Sequence, residues 1–321
     1  MPAWRCKRPA RHVAPTLVTA CTALPPEGAA TRLGAARRRV MMLPLSSWPA
    51  AERRGIVGVF TDIDDTLTTA GAITPDALQA LGALKQAGLQ VIAITGRPAG
   101  WSEPFAARWP VDAIVTENGA VALIPGAMNS ENELQPPQNM RKPLSKRYQQ
   151  DASTRASNRT AMQAVAEQVL REVPGVQLSR DSGGRETDLA FDYNEFAQLP
   201  PETVQQVLAV LQRAGMQTTV SSIHIHGCFG DFNKWQGANW IVRELFAREL
   251  AQELDRWVFV GDSGNDQAMF EHFTHSVGVA NIRHFADQLT HLPRYITPSE
   301  RGAGFAEVAA AIASQTPRTS A

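Results

Sequence analysis

Cysteine is scarce in this chain: Cys6, Cys21 and Cys228 are its only 3 among 321 residues. They are odd in number and far apart, which excludes a disulfide framework and a cysteine-spaced metal cluster and fits a reducing compartment. Net charge is missing too, because 31 Lys and Arg balance 31 Asp and Glu. The whole-chain balance therefore gives no reason to invoke nucleic acid or an acidic membrane surface. No run approaches the ~18 consecutive apolar residues of a membrane span. No internal repeat is found, and the expected location is cytoplasmic. The local exception is the N-terminus, where Arg5, Arg8, Arg11, Arg32, Arg37–Arg39, Arg53 and Arg54 face only Glu27 and Glu52 within residues 1–54. Ala14 to Leu24, with Val18-Thr19-Ala20-Cys21, has the outline of a lipoprotein signal. Pro15, Thr16 and Thr19 interrupt it, so residues 1–54 read as a disordered extension.

What is present begins at residue 55. Ile56 to Phe60 is a short apolar, β-branched run of the kind that forms a buried parallel strand, and it leads into Asp62-Ile63-Asp64-Asp65-Thr66-Leu67. Thr74-Pro75-Asp76 opens a helix with Pro at its first position; Leu78, Leu81 and Leu84 follow at helical spacing up to Gly88. Leu89 to Ile94 and Ala113 to Val115 are further strands, ending at Thr95-Gly96-Arg97 and Thr116-Glu117-Asn118-Gly119. Strand and helix alternating through short links predict right-handed crossovers and a parallel sheet.

That rhythm breaks at a polar stretch over 126–157, which reads as an exposed loop. A helix is expected from about Asn158 to Glu172, with Ala161, Val165, Val169 and Leu170 inward. A strand is expected over Thr187 to Tyr193, alternating Leu189 and Phe191 with Asp188, Ala190 and Asp192. A helix over about Pro201 to Ala214 and a strand over about Thr218 to Ile225 complete a small α+β unit. The α/β pattern resumes with a helix from about Trp235 to Leu250, the strand Trp257 to Val260, strands at Val277 to Ala280 and Tyr295 to Ile296, and a helix from Gly304 to Ala313. The expected fold class is α/β: a Rossmann-like parallel sheet core with helices on both faces, plus an inserted α+β cap domain. The core takes residues 55–124 and 229–315, the cap 125–228, and 316–321 form a loose tail.

The chemistry sits at strand ends. In open parallel sheets, ligands gather beyond the carboxyl ends of the strands. Asp62, Thr95 and Asp262, the last in Gly261-Asp262-Ser263-Gly264-Asn265-Asp266, all fall there. Two carboxylates one residue apart suit covalent phosphoryl transfer, one attacking phosphorus and the other handling the leaving-group proton. His224 and His226 share a strand face, but no third metal ligand accompanies them, which favours packing or a place at the cap boundary. Cys228 reads as a small buried residue, and Trp235 and Trp240 as helix packing.

With these residues the chain resembles haloacid dehalogenase-superfamily phosphatases, specifically the Cof-like and sucrose-phosphate-phosphatase-like group with a large α/β cap. The likeness covers about residues 55–315 and takes in Asp62 to Leu67, Thr95 in Ile94-Thr95-Gly96-Arg97, Lys234 in Asn233-Lys234-Trp235-Gln236-Gly237, and Gly261 to Asp266. It departs from the pattern at Asp65, where Gly is commoner. The resemblance implies that Asp62 attacks phosphorus. Asp64 would protonate the leaving alcohol and then activate water, with a pKa above that of Asp62. Mg²⁺ is expected at Asp62, Asp64 (through its backbone carbonyl), Asp262 and Asp266; Thr95, Lys234 and Asn265 are expected to hold phosphate. Arg97 is read as a substrate ligand or a structural ion pair. Arg180 and Arg185, in the loop Ser179 to Glu186, are read as contacts to the leaving group or as parts of an exposed hairpin. The expected substrate is a small phosphate ester, a sugar or polyol phosphate, handled by a monomer or small homo-oligomer with no nucleic-acid or membrane partner. A phosphohexomutase and a catalytically silent binding protein are the competing readings.

Overall fold

Nine strands make one sheet in the order β1-β15-β14-β13-β2-β5-β6-β7-β8 in the computed structural model, which describes residues 41–126 and 143–314. In chain order the elements are β1 (Leu43–Pro44), α1 (Ala50–Arg54), β2 (Gly58–Thr61), β3 (Thr68–Thr69), β4 (Ala72–Ile73), α2 (Pro75–Gln86), β5 (Gln90–Ile94), α3 (Ala99–Ala106), β6 (Ala113–Thr116), β7 (Val121–Pro125) and β8 (Leu144–Tyr148). The insert follows as α4 (Ala152–Glu172), β9 (Gln177–Leu178), β10 (Asp188–Asp192), α5 (Pro201–Arg213), β11 (Gln217–Val220) and β12 (His224–Cys228). The sheet then resumes with α6 (Lys234–Phe246), β13 (Trp257–Gly261), α7 (Gln267–His272), β14 (His275–Gly278), β15 (Tyr295–Ile296) and α8 (Arg301–Ala313).

Strands β1 to β6 of this sheet run parallel, while β7 and β8 turn back antiparallel. The central strands are apolar throughout because both faces are covered. Val59, Val91 and Val258 face one layer with Leu81, Leu84, Phe305 and Val308, and their neighbours Phe60, Ile92 and Phe259 face the other with Ile241, Val242 and Met269. Pro75 stands at the start of α2 as expected. Leu78 does not turn inward: it is 40% exposed, and Ala77 and Ala80 take the buried side with Leu81 and Leu84. Among the described residues no helix is long and apolar enough to cross a membrane.

Several boundaries differ from the sequence reading: α6 ends at Phe246 rather than Leu250, the strand expected at 277–280 is His275–Gly278, and α8 starts at Arg301 rather than Gly304. Residues 41–54 are not part of a disordered extension: β1 pairs with β15, and Trp48, 1% exposed, stacks on Tyr295 at 5.6 Å. Their order comes from tertiary contact, which no local periodicity announces. The signal-like stretch within 1–40, the tail after 314 and residues 127–142 of the polar loop lie outside the described residues. The rest of that loop is structured. Its β8 joins β7 in the large sheet, so the insert begins near Ala152 rather than 125. Helix α4 likewise starts at Ala152, where Asp151 caps it by accepting from the Thr154 amide at 2.9 Å. Inward positions on α4 are Met162, Val165, Ala166 and Val169, whereas Ala161 and Leu170 face out.

The insert is a four-stranded sheet, β11-β12-β10-β9, with α4 and α5 on one side. The strand expected over 218–225 is two strands, β11 and β12, joined at Ser221-Ser222-Ile223. Period-two alternation sends Leu189, Phe191 and Ile225 into the cap interior. The intervening Asp188, Asp192, His224 and His226 fall on the opposite face, which covers the carboxyl end of the large sheet.

Candidate active site

Asp62 follows β2 directly and Asp262 follows β13, and these strands are neighbours in register, with Val260 opposite Thr61. Asp266, in a single turn after β13, accepts from the amides of Asp262 (2.9 Å) and Ser263 (3.0 Å). Carboxylate oxygens of Asp62, Asp262 and Asp266 lie within 4.8 Å of one another, and all three residues are buried. Lys234 Nζ sits among them, donating to Asp62 Oδ1 and, at 2.7 Å, to Asp266 Oδ1, with its side chain fully enclosed. A solvated surface lysine at this position is therefore excluded.

Backbone packing puts Lys234 there. Asn233 caps α6 by accepting from the Gln236 amide at 2.9 Å. The turn after β6, with Glu117, Asn118 and Gly119 all at positive φ, presses on that helix start. A Cβ at Gly119 (φ +115°) would stand 2.5 Å from the Asn233 carbonyl, and one at Gly237 would stand 2.5 Å from the Gly119 Cα. Only two glycines allow this approach. Asp65 also adopts a left-handed conformation, φ 55°, which accounts for glycine being the commoner residue in the pattern it resembles. Its carboxylate meets Arg301 at 3.0 Å.

The acidic cluster is short of positive charge, with Lys234 the one cation bonded to its three carboxylates among the described residues. Burial first, with Asp266 and Asp64 adding repulsion, pushes Asp62 up to about 8 against the pull of Lys234. This runs against the low value expected for an attacking carboxylate. Burial, with Asp62 and Asp266 beside it, likewise pushes Asp262 well above its ordinary range. The remaining partners of Asp262 are neutral: Thr66 Oγ1 at 3.3 Å and Asn281 Nδ2 at 2.9 Å. An all-oxygen, carboxylate-rich set that resists ionising on its own fits a small hard divalent cation such as Mg²⁺.

Asp64 stands apart. Arg97 grips it, Nε to Oδ1 and Oδ2 at 3.0 and 3.1 Å and Nη2 to Oδ1 at 3.0 Å. The same guanidinium reaches the insert, donating to Asp181 at 3.2 Å and Glu195 at 2.7 Å. Arg97 is an ion-pair hub between core and cap and also lines the cleft beside Asp64. Thr95, fully buried, accepts the Arg97 amide on its hydroxyl at 3.0 Å, and Asn265 donates to Asn118 Oδ1 at 3.1 Å. One narrow cleft is lined by Asp62, Asp64, Thr95, Arg97, Asn265 and the cap residues Ser221 to His224 and His226.

Arg180 and Arg185 do not line that cleft. Arg180 is exposed, with its guanidinium 3.7 Å over the Phe196 ring. Arg185 is buried on Asp188, Asp181 and the Gly96 carbonyl. His224 and His226 each meet a carboxylate, Glu195 at 2.9 Å and Asp188 at 3.1 Å. Trp235 stacks on His272 at 4.4 Å, and Cys228 is buried and unbonded to another cysteine. Sequence reasoning missed Asn281 and Thr66, which hold Asp262, and Glu117, which ties core to cap. Glu117 accepts from the Ala99 amide (3.2 Å), the Glu186 amide (3.0 Å) and the Thr187 amide (2.6 Å). Ser221-Ser222 was missed as well, although paired serines between two strand patterns are a turn signal.

The core–cap latch should respond to acid. Burial alone would raise Asp181 and Glu195, yet Arg185 and Ser179 on the first, and His224 and Arg97 on the second, hold both down to about 2. Depressed folded values mean that this stability is complete above the ordinary carboxylate range and is lost as pH falls toward 2. The Tm gap between wild type and Glu195→Gln should therefore narrow from pH 6 to pH 3. A gap that stays constant over thermal melts in that range would rule the latch out.

Known proteins share part of this sequence and its fold. Residues 59–169 match the family of haloacid dehalogenase-like hydrolases. That match spans about a third of the chain. No curated protein sequence matches significantly. Among solved structures, a Thermoplasma acidophilum protein has 16% identity and a TM-score of 0.59, with 79% of this chain and 96% of that one covered. The sucrose-phosphatase of Synechocystis, solved with sucrose and phosphate, has 18% identity and a TM-score of 0.56 over 81% of this chain and 98% of that one. The C-terminal domain of trehalose-6-phosphate phosphatase from C. albicans has 14% and 0.54, over 83% and 95%. At these identities the likeness is one of fold. In this chain the fold carries Asp62, Asp262 and Asp266 to one point at the sheet's carboxyl edge.

Proposed function

We propose that the chain is a Mg²⁺-dependent phosphomonoesterase acting on a small sugar or polyol phosphate through an aspartyl-phosphate on Asp62. The observation that carries this reading is the enclosed meeting of Asp62, Asp262, Asp266 and Lys234, with Asp64 separately held at the rim of the same cleft. Asp62 forms the new O–P bond as the P–O ester bond breaks, and the leaving oxygen takes its proton from Asp64, which must first take one up from water as its ion pair with Arg97 opens. Water then attacks phosphorus while Asp64 takes its proton, releasing phosphate and free Asp62. Lys234 would orient the nucleophile, and the Thr95 hydroxyl and Asn265 amide would hold phosphate oxygens. Mg²⁺ held by Asp62, Asp262, Asp266 and the Asp64 carbonyl would supply the positive charge that lets an anion approach a phosphate anion.

A sugar leaving group is supported by the neighbouring cleft. Ser221 lines both the catalytic cleft and a second one of about 290 Å³. The second cleft lies between insert and core and is lined by Tyr193, Thr218, Thr219, Gln267 and Gln288 with a few apolar neighbours and, among the described residues, no charged side chain. Hydroxyl and amide groups without charge suit a neutral, hydroxyl-bearing group rather than a second anion. The Synechocystis and C. albicans proteins of the same fold are named for disaccharide phosphates, consistent with this class.

The deciding experiment is phosphate release from a panel of sugar, polyol and nucleotide phosphates with Mg²⁺ or with EDTA. Release from sugar phosphates that stops in EDTA is expected. Release indifferent to EDTA would remove the metal from the proposal, and turnover that requires a bisphosphate activator would point to the mutase reading instead.

A further inference from the structure

Of the described residues that line the catalytic cleft, His226 alone has a buried side-chain polar atom without a partner, its Nε2. The residue is 3% exposed. Its other nitrogen, Nδ1, lies 3.1 Å from Asp188 Oδ2. Asp188 is held by Arg185 Nη1 at 2.9 and 3.0 Å, and that same nitrogen donates to the Gly96 carbonyl at 2.9 Å. A carboxylate only accepts, so Nδ1 carries the hydrogen and Nε2 presents a bare lone pair. Burial first, then the adjacent Arg185, holds the imidazole well below its ordinary range and keeps it neutral. Nε2 therefore accepts and does not donate.

Its position is fixed by the loop beyond β5. A Cβ added at Gly96 would stand 3.0 Å from His226 Nε2, so the imidazole lies directly against the residue that follows Thr95. An enclosed acceptor with no donor is costly, and a ligand hydroxyl would remove that cost. A phosphate dianion brings no hydrogen to a lone pair and is repelled by it. We propose that His226 Nε2 accepts a hydroxyl hydrogen from the leaving group and so selects phosphate esters of polyhydroxy alcohols. Arg185 and Asp188 behind it are positioning residues that fix its tautomer.

This inference rests on the phosphatase reading. Its test compares p-nitrophenyl phosphate, whose leaving group carries no further hydroxyl, with the best sugar phosphate of the panel. His226→Asn retains a donor toward Asp188 and deletes the acceptor; His226→Gln restores an amide oxygen near the Nε2 position. His226→Asn should lower kcat/KM on the sugar phosphate about 10- to 100-fold more than on the aryl ester, mainly through KM. His226→Gln should recover part of the loss. Equal losses on both esters, or no loss on either, would overturn the assignment. Should neither variant fold, the wild type serves: one monodeoxy analogue of the sugar phosphate should lose about 10- to 100-fold, and uniform tolerance of every analogue overturns the proposal. Wild type inactive on both esters is a distinct result that removes the phosphatase reading, and this inference with it.

Discussion

Asp62→Asn should lower phosphate release by on the order of 10⁴-fold or more while leaving the fold intact. The amide keeps the size of the side chain and an oxygen to accept from Lys234, but it carries no charge with which to attack phosphorus. Stability should move the other way. Asp62 is a buried carboxylate whose ionised form is opposed by burial and by Asp266 and Asp64, so replacing it removes an unfavourable charge from the metal-free site. A group with a raised folded pKa withdraws stability as pH rises through that value. The metal-free variant should thus melt no lower than wild type at pH 7 and clearly higher near pH 9. Mg²⁺ should stabilise the variant less than wild type, because one ligand oxygen has lost its negative charge. Intact-mass measurement of wild type quenched during turnover should show an added phosphoryl group that the variant lacks. Residual turnover within tenfold of wild type would take the nucleophile away from Asp62.

The site was more legible than the fold around it, and the reason is geometric. In a parallel sheet an apolar run covered on both faces must end at the carboxyl edge, so an acid directly after Phe60-Thr61 or Val260-Gly261 can be placed without coordinates. Lys234 was legible only through resemblance; locally it is an ordinary helix start, and its burial depends on Gly119 and Gly237 lying against each other far apart in sequence. Asn281 and Thr66 carry no local signal, since each acts solely by where the chain folds back on Asp262. The strand β8 and the first turns of α4 were hidden by polar composition, because β8 alternates half-buried with exposed residues and α4 begins outside its apolar stripe. In the cap the reverse held. The alternation of Leu189 and Phe191 with Asp188 and Asp192 gave both faces of β10 correctly, and His224 and His226 proved to share the face that meets the core.

Lys234→Met should do more damage than its distance from any leaving group suggests. The ammonium is fully enclosed and bonded to Asp62 and Asp266, and those carboxylates keep it protonated despite its burial. Breaking a buried ion pair from one side is destabilising by about 3–5 kcal/mol when the partner charge is left behind. Asp62 has an escape, since its already raised pKa lets it take up a proton instead. At pH 6 the loss of stability should consequently be modest, and it should grow toward pH 9 as protonation ceases to be available. The same proton that limits the damage silences the nucleophile, so kcat should fall steeply even where the variant is well folded. Mg²⁺ should then raise the Tm of Lys234→Met more than that of wild type, because a cation near Asp62 and Asp266 replaces part of the lost charge. A variant that melts like wild type at pH 9 would mean that the buried carboxylates do not depend on Lys234. A Mg²⁺ response no larger than that of wild type would separate the lysine's charge from the metal's.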